Sequence, residues 1–159
     1  MIITPSYTMT KVSGTTIYDA NDLIANHATA ASVIPFSFDV SKHGGSYGKI
    51  RVVRLFKDAE TTTAASFKVH LFSATPVPTN GDNGAYAVST VANYLGGIAI
   101  DMSSGATATT TDLWKVAAPS PEINFDVGGG KLYGLLQAIG GYTPITLEQF
   151  TVTLEIEKV

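Results

Sequence analysis

The sequence predicts an all-β protein: a two-sheet antiparallel sandwich of jelly-roll plan, with at most one or two short helical turns. Three observations carry that expectation. Apolar and polar residues alternate over residues 34–40 and 150–157. Successive strand side chains point to opposite faces, so this pattern marks a sheet with one wet side. Segments rich in Gly, Pro, Asn and Thr recur between the apolar runs, and nine such runs fit into 159 residues. Short strands separated by turn chemistry indicate a sandwich, and the jelly roll is a common plan for about eight of them.

The elements follow in order. Residues 1–7 form an extended arm, and residues 8–159 form the sandwich. Ile2 and Ile3 are adjacent and face opposite ways on a strand, so one sheet face cannot cover both; the arm is expected to dock on a neighbouring molecule. Strand 8–13 is followed by a short helical turn at 21–26. Strand 34–40 turns Ile34, Phe36, Phe38 and Val40 inward. The glycine-rich stretch 43–48 leads into strand 49–57, then strand 67–72 and the turn-rich connection 75–84. Over 89–95, Ser89 can cap a helical turn, Val91, Ala92 and Leu95 have helical spacing, and Gly96 fits the stop. Strands 98–102, 113–117, 123–127 and 131–139 come next. Gly128, Gly129 and Gly130 read as a tight hairpin, because glycine takes positive φ freely. The last strand turns Phe150, Val152, Leu154 and Ile156 inward and Thr151, Thr153, Glu155 and Glu157 outward.

Composition narrows the function. Ten Lys and Arg against 13 Asp and Glu leave a formal charge of −3, whereas nucleic-acid binding needs a concentrated basic surface. Without cysteine there are no disulfides, thiol nucleophiles or thiolate-held metals. No run approaches the roughly 20 apolar residues of a membrane span, and Met1-Ile2-Ile3-Thr4-Pro5 lacks the features of a secretory signal. Neither nucleic acid nor membrane is expected as a partner. Charged residues are only 14% of the chain, about half of the usual ~25%. A large assembled surface reconciles low charge with solubility.

Catalytic constellations are not evident. His27, His43 and His70 are far apart and form no metal-ligand pair at helical spacing; His70, beside Lys68 and Phe72 on one strand face, reads as a partly covered sheet position. Ser103-Ser104-Gly105 does not supply a hydrolase elbow. Gly48-Lys49 has the outline of a phosphate loop, but Ile50 stands where Ser or Thr must bind magnesium, and a strand follows where a helix is required. Of the acidic neighbours Asp19 and Asp22, Asp58 and Glu60, and Glu155 and Glu157, the last two pairs read as solvated charges, and residues 80–84 read as a turn with Asx chemistry rather than a calcium loop. No enzymatic activity and no cofactor are expected.

Several segments are similar to small structural proteins of tailed bacteriophages. Tyr18-Asp19-Ala20-Asn21-Asp22-Leu23-Ile24 with the strand that follows resembles their opening. Val69 to Pro76 with Asp82-Asn83-Gly84-Ala85-Tyr86 resembles their central strand and loop. Leu132-Tyr133-Gly134-Leu135-Leu136 and residues 147–156 resemble their C-terminal end. Asn21 stands where Gly is expected, a change that an αL-tolerant Asn absorbs. The resemblance spans most of residues 16–157 and implies a jelly-roll head-decoration, or cement, protein. Such a protein binds the assembled major capsid protein as a trimer on the outer capsid surface of the virion, after synthesis in the host cytoplasm.

A binding module is the alternative, either carbohydrate-binding or a receptor-binding piece of a tail fibre. Trp114 and the loop tyrosines Tyr47, Tyr86, Tyr94 and Tyr142 are its aromatic resource. Two strands suggest where copies meet. Val53 and Leu55 lie opposite Ile50, Val52, Arg54 and Phe56; Tyr133, Leu135 and Ile139 lie opposite Leu132, Leu136 and Ala138. Both strands are therefore apolar on two faces, while a sandwich buries one. Burial between subunits is the expected account, and cover by the chain's own residues 80–97 the competing one. The expected interface comprises Met1, Ile2, Ile3, Tyr7, Val53, Arg54, Leu55, Tyr133, Leu135 and Ile139, with Arg54 needing a carboxylate or carbonyl partner.

Overall fold

Alternation becomes pairing in the computed structural model, which describes residues 1–41, 47–128 and 130–158. One antiparallel sheet holds β1 (Ile2–Ile3), β2 (Ser6–Thr10), β5 (Tyr47–Lys57), β8 (Thr107–Ala108), β9 (Leu113–Ala117), β10 (Ile123–Asp126) and β12 (Gln149–Lys158). The other holds β3 (Leu23–Ile24), β4 (Phe36–Asp39), β6 (Ser66–Phe72), β7 (Tyr94–Asp101) and β11 (Lys131–Ala138).

Several of these are pieces of longer strands. β1 and β2 lie end to end along β12, parted at Thr4 and Pro5. β9 and β10 lie end to end along β5, with Pro119 and Pro121 between them. Proline has no N–H for a ladder, which accounts for both gaps. β3 and β4 share one edge of β11. Joined in this way, eight long strands pair first with eighth, second with seventh, third with sixth and fourth with fifth. The roll closes where β12 meets β5 and β11 meets β6. This nested pairing is a jelly roll.

The alternating faces pack as read. Phe150, Val152, Leu154 and Ile156 are fully buried, as are Phe36, Phe38 and Val40. Ile34 departs from the pattern: it precedes β4, is 59% exposed, and donates its N–H to Asn26 Oδ1. The arm also departs from expectation. β1 and β2 pair along β12 of the same chain, and Tyr7 sets its ring edge against Phe36.

The strand that seemed apolar on both faces contains a β-bulge. Val52 pairs with Glu155 but Ile50 with Ile156, so Arg51 is an extra residue on β5. An extra residue reverses the phase of everything beyond it. Ile50 on one side of the bulge and Val53, Leu55 and Lys57 on the other all point into the core, while Val52, Arg54 and Phe56 face outward.

β11 is apolar on both faces because both are covered. Leu132, Leu136 and Ala138 face the sandwich core. Leu135 packs outside the sheet with Leu23, Ala25 and Phe72, joined by Val33, Tyr86, Val88 and Tyr133. The segments around residues 23–33 and 86–88 thus form a third layer over this sheet.

Two helical expectations fail. Over 89–95 there is only a turn closed by Tyr94 N–H to the Val91 carbonyl, after which β7 begins. At 21–26, Asn21 takes φ of +74°, and β3 follows; the left-handed residue breaks any helix. The helical structure among the described residues is one 3₁₀ turn, Ala30–Ser32. The glycine-rich segment is not a hairpin either, because β10 and β11 belong to different sheets. Gly130, at φ +68°, turns the chain across the sandwich and accepts a hydrogen bond from Val40 N–H. Gly129 and residues 42–46, including His43, lie outside the described residues.

Candidate interaction surface

The buried polar groups are committed to the fold. Lys57 and Glu148 are both fully buried, and Lys57 Nζ donates to Glu148 Oε1 at 3.2 Å, to Tyr142 Oη at 3.0 Å and to the Ala59 carbonyl at 2.6 Å. Tyr142 donates to Glu148 Oε1, and Ile145 N–H donates to Oε2 at 3.3 Å. Burial lowers the Lys57 ammonium pKa, partly offset by Glu148, and raises that of the Tyr142 phenol. Asp82 accepts from Tyr18 Oη and from Ala25 N–H, both at 2.7 Å, and burial pushes its carboxyl above the ordinary range.

His70 sits on the outer side of β6, as a covered sheet position. Tyr86 stacks on its ring at 4.1 Å, and its nitrogens meet Gln137 Oε1 at 2.9 Å and Tyr94 Oη at 3.1 Å. Burial depresses its pKa to about 4, so the ring is neutral. His27 is exposed and accepts from Thr29 N–H. Among the described residues, no three His, Asp or Glu side chains gather as a metal site, and no buried side-chain nitrogen or oxygen lacks a partner.

The residues expected at an interface are scattered. Val53, Leu55 and Leu135 are core residues, buried by the bulge and the third layer. Tyr133 and Ile139 are half-buried, Tyr133 within the outer cluster. Met1 and Ile2 are more than half exposed, while Ile3 packs on the core. Arg54 is exposed and finds its carboxylate in Glu155 on the adjacent strand, at 3.5 Å.

A different surface comes together on the outer face of the first sheet. Strand register aligns Thr8, Thr151, Phe56, Trp114 and Thr107 in one cross-strand row, with Ser6, Thr153, Arg54 and Val116 in the next. The Thr8 and Thr151 hydroxyls hydrogen-bond at 2.7 Å. Trp114 is 40% and Val116 41% exposed, and Trp114, Phe56, Arg54, Thr151 and Thr153 line a shallow groove of about 300 Å³. Aromatic side chains offer apolar area at little entropic cost, so an exposed Trp beside Phe and Val is suited to contact. Beyond this patch the face is charged but paired: Lys49 and Arg51 meet Glu122, and Arg51 meets Glu157. The exposed residues Trp114 and Val116 alternate with the inward Leu113, and only the register with Phe56 reveals that they share a patch.

No protein-family model matches the chain, and no curated protein does. Among solved structures it overlays that of tomato aspermy virus, with a TM-score of 0.40 and 9% identity over 99% of this chain and 78% of the other. An adhesin domain of Lys-gingipain from Porphyromonas gingivalis gives 0.35 and 12%, over 100% and 99%. Desmodium yellow mottle tymovirus gives 0.29 and 14%, over 98% and 85%. These overlays are loose, and the fold rests on the strand pairing itself.

Proposed function

We propose that the protein is a non-enzymatic virion component that decorates and cements an assembled major capsid lattice, seated through the outer face of its first sheet. The observation that carries this reading is the apolar patch of half-buried Phe56 with exposed Trp114 and Val116, on the paired strands β5 and β9. The resemblance to phage decoration proteins points the same way. Val53, Leu55 and Leu135, expected to join copies in solution, lie inside the fold, so trimers are proposed to form on the lattice. Heads built from the cognate major capsid protein, mixed with purified protein and sedimented, are expected to carry it down saturably, with a blue shift of the lone tryptophan. Trp114→Asp with Phe56→Asp should abolish both signals. Binding unchanged in that variant, or none by the wild type, would refute the assignment. A glycan-binding module is the second reading, favoured by the groove that Trp114 shares with Arg54, Thr151 and Thr153; saturable binding to a glycan array, lost in Trp114→Ala, would support it.

A further inference from the structure

The Lys57–Glu148 pair lies outside the proposed contact surface and has a geometry that a simple ion pair does not require. Both side chains are wholly buried, and Tyr142, which touches both, packs edge-on against Phe67, itself edge-on to Phe150. Removing two charges from water is costly, and moving the Nζ proton to the carboxylate eliminates both charges without any outside acid or base. In that neutral pair, the two amine hydrogens have acceptors in place: the Ala59 carbonyl and Tyr142 Oη. The third neighbour of the nitrogen is Glu148 Oε1, at 3.2 Å, and the Nζ–H now directed at it is the proton whose transfer leaves a lone pair on that side.

We propose that Lys57 and Glu148 join in an intramolecular amide bond. Nζ attacks Cδ of the protonated carboxyl, and the C=O electron pair moves onto Oε2, where the Ile145 N–H stabilises the developing charge. When the tetrahedral carbon collapses, C=O re-forms at Oε2 and the Cδ–Oε1 bond breaks. Oε1 leaves as water, carrying the carboxyl proton and one proton from nitrogen. Tyr142 relays that second proton, since its hydroxyl accepts from Nζ and donates to Oε1. One amide and one water form; nothing is oxidised or reduced. The backbones are already neighbours, because Lys57 pairs with Phe150 across β5 and β12. The bond would fasten the C-terminal strand to the centre of the sheet in a chain that has no cysteine for a disulfide.

Intact mass of the full chain, measured under denaturing conditions, tests this. The expected mass is that of the sequence less one water, with a proteolytic fragment joining the peptides that carry Lys57 and Glu148. Lys57→Met should show its own full sequence mass, and Tyr142→Phe should form the bond several-fold more slowly. A wild-type mass equal to the sequence mass, unchanged after prolonged incubation of the folded protein, would overturn the proposal. So would a water loss that persists in Lys57→Met. If Lys57→Met does not fold, the fragment map of the wild type still decides.

Discussion

Replacing Leu135 by Ala tests whether the second apolar face of β11 is covered by this chain or by another copy. Leu135 is 2% exposed and packs on Leu23, Ala25 and Phe72, beneath Tyr86 and Val88. Burying a leucine side chain contributes about 1.5–3 kcal/mol. The cavity left by truncation raises the loss to about 2–5 kcal/mol, depending on how far the site collapses. The third layer is made of irregular segments that can settle inward, which favours the lower half of that range. For a chain of this size, each kcal/mol lowers Tm by roughly 2–4 °C, so a loss of about 3 kcal/mol corresponds to roughly 6–12 °C. The assay is urea denaturation with thermal melts across a hundredfold range of protein concentration. All covering residues belong to the same chain, so both wild-type stability and the loss on substitution should be independent of concentration. A Tm that climbs with concentration in the wild type but not in Leu135→Ala would show that a second copy supplies the cover. A loss below about 0.5 kcal/mol, the range of ordinary surface substitutions, would refute the packing argument.

The neutral, buried His70 should make the protein acid-sensitive. Its folded pKa of about 4 lies below the unfolded 6.5, so the unfolded chain takes up the proton first, and stability falls as pH drops from 6.5 towards 4 by up to roughly 3 kcal/mol. NMR titration should find the ring neutral at pH 5.5, and His70→Gln should flatten that part of the stability profile; a ring titrating near 6.5 would contradict the burial. Gly81→Ala should destabilise the third layer, because a Cβ there runs into the Ala28 carbonyl. Overpacking of this kind costs about 1–3 kcal/mol, and an unchanged denaturation midpoint would show that the loop yields freely.

Local periodicity decided much of this protein. In β12 and β4 every inward residue from Phe150 to Ile156 and from Phe36 to Val40 could be named from alternation alone, because a strand with one wet face writes its orientation into successive residues. Asn21 reads as part of a helical turn, yet it takes the left-handed backbone where the resemblance expects glycine. Other features depended on contacts that local order does not encode. The extra residue at Arg51 is defined only against β12, and it converts an apparently two-faced strand into one whose Val53 and Leu55 lie with Ile50 in the core. Leu135 and Tyr133 are apolar for a reason located a hundred residues earlier, in Leu23 and Ala25. The exposed patch needed the register of three strands to align Thr151, Phe56 and Trp114. Lys57 and Glu148 meet only because β5 and β12 are neighbours in the roll. Alternation fixes which side of its own strand a residue occupies; what lies against that side is set by pairings between segments remote in the chain, and these exist only once the sheets have closed on each other.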